Sequence, residues 1–252
     1  MTVLCYHRVG GPLELGVTRV ARGVFARQMT ALARDGWRTV SLSEFVRLVP
    51  TPATRRFLLT FDDGYASLAE HAYPVLADLG FTATTFVITD FAGRCNTWDV
   101  QYTWRRLAHL GWHEMERWRA RGFEFGSHGA THRRLTWLPD SAVDEELGRS
   151  RETLIARLGP AAGTAIAYPF GAVDQRIEQL ADEAGYALGF GGVLGTGERL
   201  NVPRVPVYLW DIGDTPLGLR NDSIGSLGKA AAHLANRCAV GTSLMKGLIA
   251  DT

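Results

Sequence analysis

The chain has 252 residues, 46% of them hydrophobic and 21% charged, enough to build one barrel-sized domain whose core needs no disulfide or metal staple. Its 27 basic and 26 acidic residues leave a net charge of +1, so no basic excess exists to grip a phosphate backbone, and nucleic acid is not an expected partner. Cys5, Cys95 and Cys238 form no CxxC pair, which argues against a disulfide framework or a thiolate zinc site.

No apolar run approaches the ~18–20 residues of a membrane span. The opening MTVLCYH lacks the charged and apolar regions of a secretion signal, which predicts a cytoplasmic protein.

Short apolar runs alternate with helical periods, the pattern of a parallel sheet or barrel. Val3–Tyr6 reads as the first strand, followed by a glycine-bearing loop. Apolar residues at Phe25, Met29, Leu32 and Ala33 predict a helix ended by Gly36. Arg38–Leu42 reads as a strand, with Ser43 capping a helix to about Val49. Arg56–Phe61 (RFLLTF) is the clearest buried strand. A helix from Ser67 to Leu79, a strand Thr82–Ile88 and a helical, aromatic-rich Trp98–Arg121 follow. The spacing then predicts a strand Phe123–Ser127, a helix Asp140–Leu158, a strand Ala165–Tyr168 and a helix Asp174–Ala184. Tyr186–Phe190 and Val202–Tyr208 read as further strands, and Ser226–Cys238 as a helix. Side chains just beyond the carboxyl ends of such strands converge on one face.

Polar clusters fall at those ends. In Thr60-Phe61-Asp62-Asp63-Gly64 two adjacent carboxylates leave an apolar strand. Their repulsion calls for a cation: one carboxylate ligates it and the other stays free as a base. The plainer alternative is a solvated Asp-Gly turn. In Gly126-Ser127-His128-Gly129-Ala130-Thr131-His132 two histidines at i and i+4 suit one face of a helical turn and a shared metal. His109 and His113 have the same spacing but no carboxylate-bearing strand end, and read as a packing feature. Asp63, His128 and His132 leave coordination positions open, which suits catalytic Zn2+ and also Fe, Co, Ni or Mn. Tyr168-Pro169-Phe170-Gly171 is a turn whose N–H groups can face an oxyanion. His7 ends the first strand, where it is either a proton donor or a buried structural histidine.

TFDDG, then GSHGATH, then a strand ending in AYPFG resemble the NodB-type polysaccharide deacetylases (carbohydrate esterase family 4), over about residues 1–208. The resemblance implies a distorted (β/α)7 barrel and metal-dependent removal of an N-acetyl group from an amino sugar. By position, Asp62 would be the base, Asp63, His128 and His132 would hold a divalent metal, and the Phe170 N–H would help bind the oxyanion. Many members carry an arginine where this chain has Ala167; Arg204, at another strand end, is the candidate replacement. Many also carry a late Leu-x-His acid, absent after residue 208 here. The opening Leu4-Cys5-Tyr6-His7 instead resembles the circularly permuted poly-N-acetylglucosamine deacetylases, making His7 the candidate acid.

Tyr65, Trp98, Tyr168 and Trp210 are candidates for a sugar-stacking wall, with core packing as the alternative. The barrel would span residues 1–220, with 221–252 as a C-terminal helix and tail. The expected partner is an N-acetylated saccharide: a glycan, glycolipid or natural-product precursor. Two competing readings keep the scaffold: a hydrolase of non-sugar amides or cyclic imides, and a silent glycan-binding protein.

Overall fold

Alternation along very short strands decides what faces inward. In a computed structural model, which describes residues 1–12, 16–48, 55–97 and 106–219, the strands in chain order are β1 (Thr2–Tyr6), β2 (Arg8–Val9), β3 (Arg19–Val20), β4 (Arg38–Thr39), β5 (Arg56–Phe61), β6 (Thr84–Val87), β7 (Glu124–Ser127), β8 (Ala165–Ala167), β9 (Leu188–Phe190) and β10 (Val205–Pro206). Eight of them form one parallel sheet, ordered β10-β1-β5-β6-β7-β8-β9 with β4 also against β5. The extended stretch 202–206 joins the two ends: Val202 bridges Phe190, and Val205 pairs with Leu4. The sheet therefore curls into the expected distorted (β/α) barrel.

The period of two then sorts side chains. Val3, Leu58, Phe86, Ala165, Ala167, Leu188 and Phe190 share one core cluster. Leu4, Tyr6, Phe57, Leu59, Phe61 and Phe125 belong to another, packed with residues of the outer helices such as Phe25, Met29 and Leu76. Cys5 and His7 follow Val3 in parity, and Thr60 and Asp62 follow Leu58, so all four turn to the interior. Tyr168 has the opposite parity. It packs with Leu147, Ile177 and Tyr186 on the outer side.

The helices are α1 (Arg22–Arg34), α2 (Leu42–Leu48), α3 (Ser67–His71), α4 (Tyr73–Asp78), α5 (Trp112–Arg119), α6 (Asp140–Leu158) and α7 (Gln175–Glu183). Several differ from the expected bounds for physical reasons. Ser41, not Ser43, starts α2: its Oγ accepts from the Glu44 N–H at 3.2 Å while Glu44 returns to the Ser41 N–H at 3.0 Å, a capping box. The expected Ser67–Leu79 helix breaks at Ala72, because Pro74 has no N–H to return to the turn before it. Of the expected Trp98–Arg121 helix, residues 98–105 lie outside the described residues, and the stretch before Trp112 is extended, with bridges Cys95↔Ala108 and Tyr65↔His109. The strand expected over Val202–Tyr208 is ordered only at Val205–Pro206. The segment 221–252 lies outside the described residues. Among the described residues no helix is long and apolar enough to cross a membrane.

Candidate active site

β5 delivers Asp62 to the interior by parity, and parity alone would send Asp63 outward. A tight turn prevents that. The Gly64 N–H returns to the Asp62 carbonyl at 2.8 Å, across an Asp63 with φ of 66°. This is the strained, positive-φ form of the γ-turn. Gly64 is itself left-handed at φ of 68°, and a Cβ there would stand 2.7 Å from Val87 Cγ1. Only glycine fits.

The histidine loop is equally strained. Residues 128–132 are not a helical turn, contrary to the expectation from their spacing; Gly129 and His132 both have positive φ, 78° and 63°. Among the described residues, three of the four non-glycine residues with positive φ are Asp63, His132 and Phe170. Strain of this kind, about 1–3 kcal/mol per residue, persists only where the surroundings over-determine it, and it concentrates at functional sites.

Glu146 on α6 supplies part of that constraint. Buried at 3% exposure, its carboxylate accepts from the Ala130 N–H at 3.0 Å, the Thr131 N–H at 2.9 Å and the Thr131 hydroxyl. Ser127 Oγ accepts from the Gly129 N–H at 3.1 Å and is itself bonded to Ser150 Oγ of α6. No sequence motif pointed to Glu146; a lone acid on the apolar face of an otherwise amphipathic helix was the available signal.

The result is convergence. Nε2 of His128 and Nε2 of His132 each lie 3.5 Å from Asp63 Oδ1, and His128 Nε2 is 3.9 Å from Asp62 Oδ2. Ligand atoms of Asp63, His128 and His132 all fall within 4.8 Å of one another. His128 Nδ1 is 2.7 Å from the Ala167 carbonyl. A carbonyl only accepts, so Nδ1 carries the hydrogen and neutral His128 presents a bare Nε2 to the cluster. Burial and the adjacent His128 push His132 down to about 3, which keeps its imidazole neutral and able to ligate. Burial lowers His128 too, but Asp62 and Asp63 outweigh it and raise it overall. One carboxylate and two imidazole nitrogens so close together are a donor set that fits a divalent ion.

Asp62 does not stand free, as expected of a lone base. Arg204 forks onto it, Nη1 to Oδ1 at 2.6 Å and Nη2 to Oδ2 at 2.8 Å. Burial pushes the Asp62 carboxyl up, and the Arg204 guanidinium more than reverses this, holding it well below the usual carboxylate range. A buried carboxylate needs such a counter-charge. Arg204 lies over the Phe86 ring at 5.7 Å and donates Nε–H to the Gly191 carbonyl. With Asp62 neutralised, the charge of Asp63 is left for the cluster.

His7 Nδ1 is buried and has no hydrogen-bond partner among the described residues, and a ring nitrogen of His7 lies within 4.8 Å of a carboxylate oxygen of Asp62. The Phe170 ring lies 4.7 Å from that of His132. Among the described residues, the expected aromatic wall loses Tyr168. Tyr168 is fully buried and packs outward, for the parity reason above. Tyr65 is 6% exposed and stacks on His109 at 5.0 Å. Trp210 is half exposed, with its ring 4.9 Å from Tyr208. Trp98 lies outside the described residues. His109 and His113 do not converge: His113 is exposed on α5, while buried His109 holds the Asp63 carbonyl through Nδ1 at 2.8 Å.

Similarity to known proteins gives the family to which the chain belongs. The polysaccharide deacetylase family profile matches residues 50–189, and the chain belongs to that family. YxkH of Bacillus subtilis (strain 168), named as a candidate polysaccharide deacetylase, is 27% identical over 202 residues, 79% of this chain and 67% of that protein. The Streptococcus pyogenes deacetylase PplD, solved with acetate, shares the fold with a TM-score of 0.74 over 84% of this chain and 93% of its own, at 23% identity. IcaB from Ammonifex degensii gives 0.68 over 82% and 91%, at 27% identity.

Proposed function

We propose that the chain is a metal-dependent N-deacetylase acting on an N-acetylglucosamine-type saccharide, glycolipid or natural-product precursor. The observation that carries this is the meeting of Asp63, His128 and His132 within 4.8 Å beside an Arg204-held Asp62. In this reading Asp63, His128 and His132 hold a divalent ion, Zn2+ by donor type, with Co, Ni, Mn or Fe also compatible. Bound there, the ion supplies Lewis acidity that polarises the acetyl carbonyl and lowers the pKa of water.

The chain's own residues do the rest. Asp62 takes a proton from the attacking water. Arg204 keeps that carboxylate ionised and aimed. The Phe170 N–H donates to the oxyanion, and the left-handed backbone at Phe170 sets its direction. His7 protonates the departing amine, which is otherwise a poor leaving group. In this reading Arg204 takes the place of the arginine missing at Ala167, and its fork onto Asp62 favours the sugar substrate over a cyclic imide.

We place the chain with the permuted poly-N-acetylglucosamine branch. In support, β1 precedes the family match, sits between β5 and β10, and leads directly into His7. We assign residues 1–220 to the barrel and 221–252 to an appended segment.

Metal analysis combined with an acetate-release screen over N-acetylated sugars tests the proposal. One bound divalent ion and acetate release that stops on chelation are expected. A fully metal-loaded protein that releases acetate from none of them would refute it.

A further inference from the structure

Cys5 takes no part in the reaction above, yet it shares the interior row of β1 with His7. The register pairs Cys5 with Thr60 and Tyr6 with Phe61, which brings this row alongside Asp62. Cys5 Sγ lies 3.5 Å from Asp62 Oδ2. A sulfur, an imidazole nitrogen and a carboxylate oxygen from Cys5, His7 and Asp62 all lie within 4.8 Å of one another. His7 also presents its buried Nδ1 without a hydrogen-bond partner among the described residues.

We propose that Cys5, His7 and Asp62 form a second, inhibitory site for a soft divalent cation such as Zn2+ or Cd2+, separate from the Asp63–His128–His132 set. Donors on one tetrahedral zinc stand roughly 3.5 Å apart, given bonds of ~2.0–2.3 Å, so a side-chain shift of about 1 Å closes the site. Arg204 uses one lone pair on each Asp62 oxygen and leaves another on Oδ2, where the Cys5 thiol now donates. On ligation the thiol proton passes to solvent, and the thiolate charge offsets the added cation beside the guanidinium. Thiolate and imidazole favour soft and borderline ions over Mg2+ or Ca2+. An ion held there blocks the carboxylate that takes a proton and the imidazole that gives one. The inhibitory effect rests on the roles proposed for Asp62 and His7; occupancy of the site does not.

The test is a Cd2+ titration of enzyme carrying one equivalent of Zn2+, with Cys95 and Cys238 replaced by alanine. A thiolate-to-cadmium absorption band should saturate at one further equivalent, while deacetylation falls at least tenfold. Cys5→Ala should abolish the band and raise the inhibitory Cd2+ concentration at least tenfold; Cys5→Ser serves if the alanine variant does not fold. No band in the parent, or an unchanged second equivalent in Cys5→Ala, would overturn the site. A band with undiminished turnover would overturn the inhibition and the roles of Asp62 and His7 with it.

Discussion

Arg204 and Asp62 stand 142 residues apart in sequence and meet as a buried two-point fork at 2.6 and 2.8 Å. The fork ties the stretch that closes the barrel to the strand that carries the carboxylates. In the proposed mechanism one contact therefore serves both stability and catalysis.

Replacing Arg204 by alanine leaves a buried, unpaired carboxylate, which costs about 3–5 kcal/mol, and kcat/KM should fall at least ~100-fold. Arg204→Lys should recover only part of the activity, since an ammonium cannot fork. Urea unfolding and acetate release measure the two effects. Unaltered kcat/KM in Arg204→Ala would end the assignment.

The same pair sets an acid dependence. The folded value of Asp62 is depressed, so its contribution is fully present above the unfolded value of about 3.9 and is lost as pH falls through the folded value. Without Arg204 the buried carboxyl should rise instead. The stability gap between wild type and Arg204→Ala should be large near neutrality, shrink first as pH falls through the variant's raised value, and shrink further below about pH 4 as wild type loses its own contribution. Urea midpoints across that range check it, and a gap independent of pH would contradict it.

Metal content should divide the site residues into two groups. Asp63→Ala and His128→Ala should lose both bound ion and activity. Asp62→Asn and His7→Ala should keep the ion while kcat drops about 10²–10⁴-fold. Elemental analysis beside turnover reads this directly; loss of the ion in His7→Ala would move His7 out of the acid role.

Glu146 bonds to the backbone between the two candidate histidine ligands, and from there it should govern metal affinity. Glu146→Ala frees the 130–131 backbone and should weaken binding about 10–100-fold. Glu146→Gln, whose amide oxygen can still accept both backbone N–H groups, should restore most of it. Competition with a chromogenic chelator gives the affinities. Equal affinity in wild type and Glu146→Ala would show that the loop holds its shape unaided.

Much of this was legible in one dimension. RFLLTF before Asp62-Asp63-Gly64 marks a buried strand ending in charge, and α6 is bounded at Asp140 and Leu158 as its period predicts. The candidate ligands Asp63, His128 and His132 follow from residue type at strand ends. Local chemistry suffices there, because turns and apolar periods are properties of neighbouring residues. The sequence could not decide that a γ-turn swings Asp63 inward, that a left-handed backbone rather than a helical turn aims His132, or that Tyr168 faces outward. Nor could it pair Arg204 with Asp62 or set Glu146 under the histidine loop. Those outcomes depend on strand parity, register and barrel closure, which bring together groups from distant parts of the chain.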